Sequence, residues 1–182
     1  MMMRVNSRWL LVSAAMALCA EPAVAATQGT LGSTSTGSVS ISASVPNRVQ
    51  LSGLSDVSFT NQDPATAAAN AQNVCVWSNT STRGYNVTAT GSGAGNAFTL
   101  ANGAQSVGYN VEWGGSSGQT SGTALTSGTA LTGLTSTATS ASCTSGPAAT
   151  ASLIVKIPSA NLQTMQAALS YTGTLTLVVA PE

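Results

Sequence analysis

Short runs of alternating polar and apolar residues, cut by clusters of Gly, Asn and Pro, organise most of this chain. Gly37–Val45 is the cleanest: Val39, Ile41, Ala43 and Val45 share one face, and Ser38, Ser40, Ser42 and Ser44 the other. A period of two predicts a half-buried β-strand. Pro46-Asn47 interrupts the pattern. It resumes over Arg48–Leu54, with a turn at Gly53, and over Asp56–Thr60 through Val57 and Phe59. Asn61–Asn73 predicts turn and loop with one helical turn at Ala65–Ala69, and Val74–Ser78 a strand. Three further strands follow: Gly84–Thr90 before GSGAGN, read as a hairpin turn; Ala97–Leu100 before ANGAQ; and Ser106–Trp113 before GGSSG. The hexapeptide SGTALT occurs at Ser121–Thr126 and again at Ser127–Thr132, and two copies are too few for a solenoid. Ala151–Ile157 predicts an apolar strand ended by Pro158, Ser159–Leu169 a short helical or irregular connection, and Tyr171–Val179 a closing strand. Leu175, Leu177 and Val179 face one way on it. The fold class is therefore all-β, an antiparallel sandwich or barrel.

Ahead of these strands the chain changes character. Met1–Arg8 carries Arg4 and Arg8, Trp9–Ala20 is apolar except for Ser13, and Ala23-Val24-Ala25 offers a small-x-small site. This order predicts a secretory signal peptide cleaved after Ala25. Leu18 stands where a lipoprotein signal has a small residue, which argues against lipidation of Cys19. Residues 1–25 are thus read as leader, 26–45 as an N-terminal extension holding the first strand, and 46–182 as one β-sandwich domain.

Composition then narrows the chemistry. From Ala26 onward the only bases are Arg48, Arg83 and Lys156, the only acids Asp56, Asp63, Glu112 and Glu182, and histidine is absent from the chain. Acid–base catalysis and metal binding need titratable groups clustered in space. The expectation is a non-enzyme without cofactor or metal. With no basic patch to hold a phosphate backbone, nucleic acid is not an expected partner. Lys156, between Val155 and Ile157, is read as a solvated outward residue, and GSGAGN lacks the following helix that a phosphate loop requires. Trp77, Trp113, Tyr85 and Tyr109 are read as core filling. Beyond the leader only Cys75 and Cys143 remain, and an exported chain with two cysteines predicts one disulfide. Closing a loop of roughly 70 residues contributes about 4 kcal/mol in the chain-entropy model.

The order of motifs (leader, GSVSISASV, GYNVTATGSG, AFTLANGAQSVGYNVEW and a final YTGTLTLVV) resembles subunits of bacterial chaperone–usher pili, in particular the archaic, spore coat protein U-like group. The resemblance implies an immunoglobulin-like, pilin-type sandwich lacking one strand, completed by a donor strand from a neighbouring subunit. It implies as partners other pilus subunits, a periplasmic chaperone and an outer-membrane usher, with export to the periplasm and then to the cell surface. Val39, Ile41, Ala43 and Val45 have donor spacing, and Leu175, Leu177 and Val179 would border the receiving groove. Two features depart from the family pattern: the first cysteine comes only at Cys75, and the chain ends Ala180-Pro181-Glu182. Two alternatives stay open: Gly37–Val45 as the first strand of its own domain, and a monomeric secreted carbohydrate-binding module.

Overall fold

The computed structural model describes residues 25–182, so the leader reading of residues 1–25 falls almost entirely outside the described residues. The chain separates into two units that meet between Val45 and Pro46. In the first unit a lone antiparallel bridge joins Thr27 to Ser38, and no other described residue there belongs to a ladder. The strand predicted over Gly37–Val45 is therefore corrected: the segment pairs with nothing beyond that bridge and is exposed rather than half-buried. Alternation alone forms no strand without a partner for the backbone.

The second unit is antiparallel β throughout, with one short helix and a single 3₁₀ turn. Its strands are β1 (Val49–Ser52), β2 (Ala68–Ser78), β3 (Gly84–Gly91), β4 (Thr99–Asn102), β5 (Gln105–Gly108), β6 (Asn110–Gly114), β7 (Thr123–Ala124), β8 (Ala130–Thr135), β9 (Ala151–Ile157) and β10 (Leu175–Pro181), with helix α1 (Ser159–Leu162) between the last two. They form a five-stranded sheet β1-β2-β9-β6-β7, a three-stranded sheet β10-β3-β8 and the hairpin β4-β5. The two larger sheets share one core, in which Val74, Val76, Trp113, Leu153 and Ile157 of the first meet Tyr85, Val87 and Ala89 of the second.

Several boundaries differ from the sequence pattern; the closing strand read over Tyr171–Val179, for one, is Leu175–Pro181. Residues Ala68–Asn73, read as loop, form the first half of β2, because β9 pairs with them from Ala68 opposite Ile157 to Val74 opposite Ala151. The partner's continuous ladder overrides the weak β-propensity of Ala, Asn and Gln. Ser106–Trp113 is two strands rather than one: β5 pairs with β4, β6 pairs with β9, and Tyr109 is the corner between them. GSGAGN is not a hairpin turn, since β3 and β4 do not pair; it carries the chain away from the three-stranded sheet through a 3₁₀ turn at Ala94–Asn96. Asp56–Thr60 keeps its alternation but joins no ladder.

The repeated hexapeptide has a definite place. The first SGTALT supplies β7 at one edge of the five-stranded sheet, and the second begins β8 at one edge of the three-stranded sheet. Leu125 N donates to Val111 O and Gly128 N to Ala89 O, so the link between the copies ties both sheets together. This side of the sandwich is closed covalently. The opposite side, where β1 and β10 are the edges, is not.

Candidate functional site

The outer face of the five-stranded sheet is covered by two loops, each fixed by a different device. Cys75 and Cys143 form the predicted disulfide, with Cα atoms 6.0 Å apart, and Ala138 and Trp77 pack around it. Ser136 Oγ donates to Val76 O, and Thr150 Oγ1 accepts from Val76 N and donates to Val76 O, so the loop follows β2 closely. The second loop, between β6 and β7, rests on fully buried Ser152, whose hydroxyl accepts from Gln119 N at 3.1 Å and donates to Ser116 O at 2.9 Å.

Among the described residues one salt bridge joins charged side chains. Lys156 Nζ binds both carboxylate oxygens of Glu112 at 2.8 Å, one strand across on the same face. The reading of Lys156 as merely solvated is corrected to an outward lysine held in an ion pair. That pair, assisted by Gly122 N–H donation, holds the Glu112 carboxyl below the usual carboxylate range, against a smaller opposing effect of burial. No group of three His, Cys, Asp or Glu side chains able to hold a metal ion occurs among the described residues.

The open side of the sandwich holds a cleft of about 1250 Å³. Its floor includes Leu153, Val155 and Ile157 of β9 with Tyr109 and Leu162; one wall is Leu54–Gln62, the other Met165–Leu177. Phe98 lies against Tyr109 behind it, ring centroids 5.7 Å apart. Along the second wall the chain is paired on one side only. Thr172 bridges Ala101, and β10 then pairs with β3 from Leu175 opposite Gly91 to Pro181 opposite Tyr85.

Which backbone groups of β10 are free follows from one hydrogen bond. Glu182 N donates to Gly84 O, so Glu182 and Gly84 are a hydrogen-bonded pair of the antiparallel ladder, as are Ala180, Val178 and Thr176 with their partners. The N–H and C=O groups of Leu175, Leu177 and Val179 therefore point away from β3, at the open edge. Pro181 has no N–H and ends that row. The same three side chains are half-buried against the core, and Leu175 and Leu177 line the cleft while Val179 does not. The far wall is held by the hairpin β4-β5: Asn102 Nδ2 donates to Ser170 O at 2.7 Å, and Tyr171 OH donates to Gln105 Oε1 at 2.5 Å.

Of the other residues singled out in the sequence, Trp113, Tyr85 and Tyr109 are buried in the core and Trp77 is half-buried beside the disulfide. Burial raises the hydroxyl pKa of both Tyr85 and Tyr109. In the first unit Val39, Ile41 and Val45 are 71%, 90% and 81% exposed, and Ala43 is exposed as well. Sequence reasoning missed the wall Leu54–Gln62 as a site element, and the only signal for it was the isolated pair Val57 and Phe59. Comparison with family models and with curated proteins finds no match for this chain.

Proposed function

We propose that this protein is a non-catalytic structural subunit of a surface fibre, a pilus subunit of the chaperone–usher kind, in which Gly37–Val45 of one copy fills the cleft of the next. One observation carries the reading. The same chain holds an exposed, unpaired segment that is apolar on alternate positions, and a cleft with an apolar floor beside a strand, β10, that is paired on one side only. A sheet edge of this kind is an aggregation liability unless it is covered. β-Strand addition covers it through main-chain hydrogen bonds, with alternate side chains entering the apolar floor. Donation from copy to copy is head-to-tail and does not close, so it generates fibres.

The immunoglobulin-like, pilin-type assignment belongs to this proposal, as do export, display at the cell surface and the chaperone and usher as partners. The carbohydrate-module alternative is the weaker reading: of the four aromatics it would use, Trp113, Tyr85 and Tyr109 are buried and Trp77 is half-buried beside the disulfide.

The test is the size distribution of the purified mature chain. Wild-type protein is expected to form heat-resistant ladders on electrophoresis, and Ile41→Asp to leave only monomer with unchanged circular dichroism, since an unpaired charge in an apolar groove costs several kcal/mol. An unchanged polymer yield in Ile41→Asp would remove Gly37–Val45 as the donor.

A further inference from the structure

The first wall of the cleft has an unusual attachment. The β1–β2 ladder stops at Ser52 opposite Cys75, where Gly53 at φ 81° turns the chain away, and Asn61 at φ 52° turns it again. Between these two left-handed positions, Leu54–Thr60 places Val57 and Phe59 half-buried against the core but joins no ladder. Among the described residues, a single side chain hydrogen-bonds this stretch to the sheets. Gln72 of β2 accepts at Oε1 from Ser55 N at 2.8 Å and from Ser55 Oγ at 3.1 Å, and its Nε2 donates to Ser55 O at 3.1 Å. Its carboxamide thus offers Ser55 the donor and acceptor that a neighbouring strand's backbone would supply. Gln72 and Ser55 both border the cleft.

We propose that Leu54–Thr60 is a hinged strap along the cleft and that Gln72 is its latch, so that release of Ser55 by Gln72 sets how fast a strand inserts. The inference rests on the proposed function, because strand insertion is the event it regulates. Three hydrogen bonds and two half-buried side chains are few attachments for a seven-residue segment. Such a segment opens locally at a free energy well below that of global unfolding. Residues already in the left-handed region at both ends give it positions able to absorb a change of φ and ψ. A carboxamide on a side chain lets go and rebinds without disturbing the β2–β9 ladder. A backbone partner would not allow this.

The experiment uses the full mature chain carrying Ile41→Asp, which prevents self-donation, with and without Gln72→Ala. Hydrogen exchange at the Ser55 amide should be about tenfold faster in Gln72→Ala, with β2 and β9 amides unchanged, as loss of three exposed bonds worth about 0.5 kcal/mol each implies. Association of a labelled synthetic Gly37–Val45 peptide should accelerate by about the same factor. Ser55→Ala removes only the hydroxyl contact and should leave the association rate within about twofold. Gln72→Asn, too short to reach, serves if Gln72→Ala does not fold, and should act like it. Equal Ser55 exchange with and without Gln72 would overturn the latch. Faster exchange with an unchanged association rate would overturn the gate. If the peptide binds neither protein while both remain folded, the donor-strand reading fails and the gate falls with it, whereas the Ser55 exchange still reports on the latch.

Discussion

Tyr85 and Trp113 show how a core poor in large side chains is made specific. The rings meet edge to face, centroids 6.5 Å apart and planes at 73°, and Trp113 Nε1 donates to the Tyr85 hydroxyl at 3.2 Å. Both are almost wholly buried, one from each sheet, so the bond fixes how the two layers are set against each other. Among the described residues no buried side-chain nitrogen or oxygen lacks a partner, and removing one partner exposes the cost of the other. Tyr85→Phe should therefore cost about 1–3 kcal/mol in a denaturant titration, because the indole N–H is left unpaired. A loss under about 0.5 kcal/mol would mean the contact is packing alone. The aromatic positions were legible as core from the scarcity of large residues around them. Their mutual hydrogen bond was not, since it depends on two strands 28 residues apart lying in facing sheets.

Among elements, β9 was legible at both ends, because a continuous apolar run bounded by Pro158 admits few alternatives. The first half of β2 was not legible: AANAQN carries no period-two signal, and only the β9 ladder makes it a strand. The opposite error befell Asp56–Thr60 and Gly37–Val45, which have the pattern without a partner. Pattern reports what a segment is able to bury, and pairing reports whether a neighbour exists. Of the two segments, Asp56–Thr60 lines the cleft on the open side of the sandwich. β10 tests the argument at this scale. Leu177 is half-buried with its backbone at the open edge, and Thr176 is exposed. Leu177→Ala should cost about 2 kcal/mol, the lower end for a core leucine because the site is half-covered, and Thr176→Ala under about 0.5 kcal/mol. Denaturant midpoints in the reverse order would place the strand one residue out of register and remove the free-edge assignment with it.

For the whole molecule, the scarcity of charge has a consequence in solution. Seven ionisable side chains follow Ala26, apart from tyrosines and cysteines, and among the described residues one salt bridge joins two of them, Glu112 and Lys156. Linkage ties pH-dependent stability to groups whose proton affinity differs between folded and unfolded chain. Glu112 is held below the usual carboxylate range, chiefly by Lys156, so its contribution is present above the unfolded carboxylate pKa and is lost as the pH falls through the lowered folded value. Tyr85 and Tyr109 are held above the ordinary tyrosine value by burial, so theirs is present below pH 10 and lost above it. The free energy of unfolding should be flat within about 0.5 kcal/mol from roughly pH 5 to pH 9, fall by less than about 1 kcal/mol on acidification because the ion pair is near the surface, and fall again in alkali. In Glu112→Gln the acid-side decline should shrink while the alkaline one stays. A steep slope near neutrality in chemical denaturation would overturn the assignment of the pH dependence to Glu112, Tyr85 and Tyr109. If stability is flat over that range, the proposed donation of a strand, and not protonation, is what is left to close the open edge.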